Sequence, residues 1–318
     1  IVPKPKDPNI YYTFTVGNQG AFGANGVHFS EIDMTLDGGL GEITIKNTAL
    51  SQSLNAREKI TSVKGADCDT FWVITGDSNQ FQAYLVNDTG VNTVAITSTN
   101  IQSGGNLRGY LKLSPDGTKL VNASPGASSY IYDFDDATGM ISNGNPLNVS
   151  GGYGAEFSRS SNKLYISTGV HSQGANPNTG PASVFQFSLD SNNITDINAS
   201  RQEIYNTMTG FRGALQLGPD GKIYYAQSRI DKLGVINFPE KDFNEIDFNP
   251  NGVDLNGKIS TEGLPPFISS LLIPIEIKDN SNNSIVINNQ DLELCIGENK
   301  VIAPDPVTGN NVTYEWTF

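Results

Sequence analysis

The chain has 318 residues, of which 33 are Gly, 16 are Pro and only 17% are charged, and its formal net charge is −13. That acidic, turn-rich composition suits an extracellular all-β protein. It argues against nucleic acid, which is bound through basic patches, and against anionic membrane surfaces. The longest apolar stretch, Ile268–Ile277, is interrupted by Ser, Pro and Glu, so no segment reads as a membrane span or a signal peptide, and two cysteines, Cys68 and Cys295, are too few for a disulfide scaffold.

In chain order, the first predicted strands are Tyr11–Val16, His28–Met34 and Gly41–Lys46. A four-strand unit over Lys59–Asn100 follows: Val63–Thr75 reads as a hairpin around the turn Ala66–Thr70, then Phe81–Val86 and Val91–Ile96 flank Asn87–Gly90. The next unit, Arg108–Val149, opens on RGYLKLSPDG, and Ser129–Phe134 pairs with Met140-Ile141 across DDATG. The third, Tyr153–Ile204, holds GYGAEFSRSSNKLYIS, then Val184–Leu189 and Ile194–Ile197. The fourth, Phe211–Ser260, repeats the opening phrase as RGALQLGPDG, followed by Leu233–Phe238 and Phe243–Phe248.

The two phrases agree at seven of ten positions and lie 104 residues apart. Each is an apolar alternation, a turn and a second apolar run, the pattern of a β-hairpin. Pro presets the turn's φ, Asp bonds nearby backbone N–H groups, and Gly accepts positive φ. Four short strands recurring every ~40–50 residues are the signature of propeller blades. The predicted fold is therefore an all-β propeller over residues 1–275. Gly263–Leu272 is read as a closing strand that pairs with the Tyr11–Lys46 strands and completes five blades. Residues 276–284 form a polar linker. Within 285–318, Cys295 followed by Trp316 resembles the first half of an immunoglobulin-like or PKD-like sandwich. The start at Ile1 and the stop at Phe318 point to a processed chain or a fragment.

Nine stretches, among them IVPKPKDPNIYYTF, EKITSVKGADCDTFWVIT, RGYLKLSPDGTKL, GAEFSRSSNKLYIS, GALQLGPDGKIYYAQ and GLPPFI, occur in an order that resembles the N-terminal propeller of large surface proteins of gliding Bacteroidota. Those proteins carry a gliding-motility-associated, type B C-terminal sorting domain and leave the cell through the type IX secretion system. The resemblance covers about residues 1–275. It implies a seven-bladed ring in the complete protein, and further immunoglobulin-like or PKD-like domains of the same polypeptide. It also implies a cell-surface or secreted location, the outer-membrane export machinery as a partner, and an adhesin-like role in attachment or gliding. The family has no established catalytic site, so no catalytic residues carry over.

The residues themselves point the same way. No HExxH, CxxC or GxSxG occurs, and the two histidines, His28 and His171, are isolated. His28 alternates with Phe29 in a strand and reads as structural. His171 lies in the long Gly/Asn/Pro loop Gly169–Gly180, a place where binding function concentrates. Arg108 and Arg212 start equivalent inner strands near the central channel, with Tyr110, Tyr153 and Phe211 beside them. Packing or ion pairing is the plain reading of these residues; a basic, aromatic channel mouth for an anionic group or a glycan is the sharper one. The candidate ligand-binding residues are therefore Arg108, Tyr110, Tyr153, His171 and Arg212. No catalytic or metal-binding residue and no cofactor is expected. Asp133, Asp135 and Asp136 resemble a calcium loop only loosely, because the EF-hand spacing is missing, and weak Ca²⁺ binding is the minor alternative to a β-turn. Asp37, Asp77 and Asn79 read as turn residues. Asn122-Ala-Ser and Asn148-Val-Ser are glycosylation triplets of a kind an Asn/Ser-rich chain produces by chance. The expected function is non-catalytic binding of a surface glycan or protein. The alternatives are an extracellular hydrolase or lyase working through channel carboxylates, and a structural spacer that presents other domains.

Overall fold

The computed structural model describes residues 1–17, 26–51, 58–67, 69–77, 79–99, 101, 108–169 and 180–273. His171, most of the loop around it, both cysteines and everything from residue 274 onward lie outside these. The chain divides into two compact units, Ile1–Ile273 and Pro274–Phe318, and only the first falls among the described residues.

That unit is an all-β propeller of antiparallel blades, five among the described residues. The first blade is β1 (Val2–Lys4), β2 (Asp7–Val16), β3 (Val27–Asp33) and β4 (Glu42–Ser51). The second is β5 (Ile60–Lys64), β6 (Phe71–Gly76) and β7 (Gln80–Asn87), with an outer edge in two pieces, β8 (Gly90–Val91) and β9 (Ile96–Thr99). The third is β10 (Leu111–Leu113), β11 (Lys119–Asn122), β12 (Ser128–Asp135) and β13 (Met140–Ser150). The fourth is β14 (Gly152–Phe157), β15 (Lys163–Thr168), β16 (Gly180–Ser188) and β17 (Gln202–Gly210). The fifth is β18 (Leu215–Leu217), β19 (Ile223–Ala226), β20 (Lys232–Ile236) and β21 (Phe248–Asp254).

The repeated phrase is the inner hairpin of a blade. Leu111 and Leu113 on β10 are buried, as are Leu215 and Leu217 on β18. Gly117 and Gly221 take φ of +74° and +78° and donate to Ser114 and Gly218 across their turns. In GYGAEFSRSSNKLYIS, the corresponding hairpin of the fourth blade, Ser161 occupies the same place, at φ +65°, and makes the same bond to Ser158. A second use of glycine lies at the other end of the hairpin. A Cβ on Gly109 or Gly213 would run into the carbonyl oxygens of Ala123 and Ala226, so the Arg-Gly pair lets two strand ends approach closely.

Apolar layers join consecutive blades. Val2, Tyr12 and Phe29 pack against Phe71, Val73 and Tyr84 between the first and second blades. Trp72, Ile74 and Phe81 meet Leu113, Leu120 and Tyr132 between the second and third. Comparable clusters join the third to the fourth and the fourth to the fifth. Turns link the same neighbours with hydrogen bonds: Asp136 O accepts from Trp72 Nε1 (2.7 Å), Ser161 Oγ accepts from Asp116 N (3.1 Å), and Pro219 O accepts from Arg159 Nη2 (2.6 Å).

Four expectations are corrected. Gly263–Leu272 is not a strand: it is irregular, then a 3-10 turn at Ser269–Leu272. Pro265 and Pro266 have no N–H to offer a ladder, and the innermost strand of the first blade is instead β1, bonded to β2. Ile194–Ile197 lies not in a strand but in a helix, α1 (Ile194–Ala199), started by Asn193, whose side chain accepts from Thr195 N at 2.8 Å. Phe243–Phe248 opens as a 3-10 turn, Phe243–Glu245, and the outer strand of that blade begins only at Phe248. The single strand expected at Val91–Ile96 is split into β8 and β9.

Instead of closing the ring as a strand, residues 262–272 form a strap along the hub. Glu262 O accepts from Ala214 N, beside the start of β18 (2.8 Å). Ile268 is buried in the layer between the first two blades. Ser269 Oγ reaches Glu156 on β14, and Ser270 Oγ accepts from Lys64 N at the far end of β5 (3.0 Å). Leu272 packs against the layer between the fourth and fifth blades. The strap thus runs from the strand-start end of the hub to the turn end, and it fastens first-blade, second-blade, fourth-blade and fifth-blade groups to one segment.

Candidate binding site at the mouth of the hub

Successive side chains of a strand point to opposite faces of its sheet, so the middle residue of an inner strand points away from the layer that its two neighbours share with the preceding blade. Those middle residues are Lys112, Glu156 and Gln216. Lys112 Nζ lies 2.8 Å from Glu156 Oε2, with side chains only 8% and 0% exposed, and 3.3 Å from Gln216 Oε1. Glu156 also accepts from Leu217 N (2.9 Å) and Phe157 N (3.0 Å). A buried charge is tolerated when it is both paired and hydrogen-bonded, and this one is. Beside it is a cavity of about 130 Å³, lined among others by Ser62, Tyr110, Lys112, Gln216, Phe267 and Ile268. The Ser62 hydroxyl is shut away there with no partner among the described residues.

At the strand-start end the structure brings together three of the predicted residues, Tyr110, Tyr153 and Arg212. Tyr110 and Tyr153 stand edge to face with centroids 5.7 Å apart, and Tyr110 N donates to Tyr153 O at 2.8 Å. The Arg212 guanidinium lies over the Tyr153 ring at 4.8 Å and the Phe211 ring at 5.0 Å. Its Nε donates to Glu262 Oε2 at 2.7 Å, with side-chain exposures of 11% and 34%. Burial pushes the Tyr153 hydroxyl above the usual tyrosine range, and the charge of Glu262, which it also meets by hydrogen bond, adds to this. Burial likewise raises Tyr110.

Arg108 is half-buried just before Tyr110, and His171 lies outside the described residues. The guanidinium of Arg212 is therefore neutralised from within, by the strap. What remains is a mixed surface: two half-buried tyrosine rings and a partly exposed carboxylate, backed by the buried guanidinium. It can stack on a flat apolar face and exchange hydrogen bonds with hydroxyls.

The acidic turn that resembles a calcium loop has other uses. Asp133 pairs with Lys119 at 2.6 Å and accepts from Asn143, and Asp135 accepts from Ala137 N and Thr138 within its own turn. Asp77 likewise accepts from Asn79 N and Gln80 N. Among the described residues no group of three or more His, Cys, Asp or Glu is placed to hold a metal ion, and no helix is long and apolar enough to cross a membrane.

Glu262 was not among the predicted residues. Its sequence context, TEGLPP, carries no sign of a partner 50 residues away. The hub residues do leave a trace: LKL, AEF and LQL each place one polar residue in an otherwise buried strand.

No family model matches the chain, and no curated protein does. Among solved structures, a nidogen/laminin complex superposes with a TM-score of 0.43 at 8% identity, over 73% of this chain and 76% of that one. The Pseudomonas aeruginosa periplasmic gluconolactonase PpgL gives 0.37 at 15%, over 71% and 78%. Kuenenia stuttgartiensis hydrazine synthase gives 0.43 at 11%, over 69% and 60%. The propeller assignment rests on the blades described above.

Proposed function

We propose that this propeller is a module of a secreted or cell-surface, adhesin-like protein, exported by the type IX secretion machinery and used in attachment or gliding. Its role is to bind or to space, without catalysis. Its ligand is a surface glycan or protein, met at the mouth of the hub.

The observation that carries this reading is the state of Arg212. Its charge is paired with Glu262 and its plane is set against the Tyr153 and Phe211 rings. So held, the guanidinium fixes the Tyr153 ring in place for recognition and is not a poised acid, base or nucleophile. The strap agrees with this, because its Ser269 engages Glu156, the buried carboxylate of the hub. The ordered sequence resemblance over about residues 1–275 supplies the setting: export, surface display and further domains.

The test is retention on immobilised surface polysaccharides and proteins from gliding bacteria, with products assayed on the same samples. Retention of at least one polymer is expected, weakened roughly tenfold by Tyr153→Ala, as the loss of one stacking or cation–π contact of ~1–2 kcal/mol requires. Failure to retain any polymer would overturn the binding reading in favour of a pure spacer. Release of sugars or peptides that stops in Glu262→Gln would overturn the non-catalytic reading.

A further inference from the structure

The seam between the second and third blades contains a lysine buried to 4% exposure, Lys59, just before β5. Its Nζ contacts Asn122 Oδ1 and lies 3.0 Å from Ser124 Oγ. Asn122 closes β11, cross-strand from Leu111 and Tyr130, and is 3% exposed, while Ser124 is fully buried. The Asn122 side chain also meets the Tyr132 hydroxyl, so its amide is fixed from a second direction. Asn122 is thereby closed to glycosylation in the folded protein.

A buried amine against a buried amide is a reactive arrangement. Desolvation pulls the Lys59 amine down to about 7, against the opposing effect of Glu58. An amine whose charged form is disfavoured by burial offers its lone pair more readily, as a nucleophile must. Nζ is held against the oxygen of the amide it would attack, one bond from Cγ, so the encounter between the two groups is already made by the fold.

We infer that Lys59 and Asn122 join in an intramolecular amide bond that covalently staples the second blade to the third. In this step the lone pair of Nζ attacks Asn122 Cγ, and the carbonyl π pair moves onto Oδ1. A proton passes from Nζ to Nδ2, with the Ser124 hydroxyl placed to accept from Nζ and relay it. The Oδ1 pair re-forms the carbonyl, the Cγ–Nδ2 bond breaks, and ammonia leaves. A primary amine and a primary amide become one secondary amide and ammonia, with no oxidant, reductant or cofactor. The bond encloses a loop between residues 63 positions apart.

The test is intact mass and peptide mapping of the purified chain after denaturation. The expected mass is lower than that of the sequence by one ammonia. Trypsin does not cut after Lys59, and a branched peptide contains both Lys59 and Asn122. Lys59→Arg and Asn122→Ala each restore the full sequence mass. A wild-type mass equal to that of the sequence, with free cleavage at Lys59, would overturn the inference. So would an ammonia loss that maps to an unbranched asparagine peptide, such as one from Asn143-Gly144, where succinimide formation gives the same mass. The wild-type protein alone decides the matter, so a variant that fails to fold does not obscure it.

Discussion

Glu156 sits fully buried in the hub and holds four groups at once: Lys112, the N–H groups of Phe157 and Leu217, and Ser269. Removing it leaves Lys112 in the hub with Gln216 as its remaining partner among the described residues, and an uncompensated buried charge costs about 3–5 kcal/mol. Glu156→Ala should therefore lower unfolding stability in urea by about that amount, whereas Lys112→Met with Glu156→Leu should recover most of the loss, because an apolar pair of similar volume needs no solvation. The sequence reveals such residues unevenly. Pro115, Asp116 and Gly117 are legible because a turn is a local arrangement. The Lys112–Glu156 pair is not, because nothing in either neighbourhood says which polar residue of another blade lies opposite. The same holds at the mouth. Arg212 could be found from its equivalence to Arg108, and Tyr110 and Tyr153 from their places beside such strand starts; Glu262 could not, because it belongs to a segment with no repeat.

At the level of elements, repetition made the inner hairpins legible and irregularity hid the rest. Outer strands vary in length and starting point, and the helix at Ile194–Ala199 replaced a predicted strand because a capping Asn193 outweighs a short apolar pair. The strap was misread for a related reason: Ile268–Leu272 is apolar enough for a strand, but the two prolines before it prevent a ladder. Its anchoring is specific. Ile268 is buried between the first two blades, whereas its neighbour Phe267 is half exposed. Ile268→Ala should cost about 2–5 kcal/mol, the range for truncating a buried Ile to Ala. Phe267→Ala should cost less, about 1 kcal/mol, because half of that side chain is already in water. Thermal unfolding of the two variants side by side measures the difference, and equal losses would mean that the strap is not seated in that layer.

In the whole molecule, blades joined by apolar layers become one body because a single strap ties groups on opposite sides of the hub. On the proposed reading, ligands meet the propeller at its ends and not along its axis. It also leaves the Tyr110–Tyr153–Arg212 surface held by the same strap, through Glu262. The most direct test of that arrangement is hydrogen exchange at two amides that donate to the strap, Lys64 N to Ser270 Oγ and Ala214 N to Glu262 O. If the strap seals the hub, both amides exchange only with global unfolding, as slowly as Leu217 N, which donates to the buried Glu156. Exchange of Lys64 and Ala214 at the rate of open loops, while Leu217 stays protected, would show a strap that does not stay in place and would contradict the account.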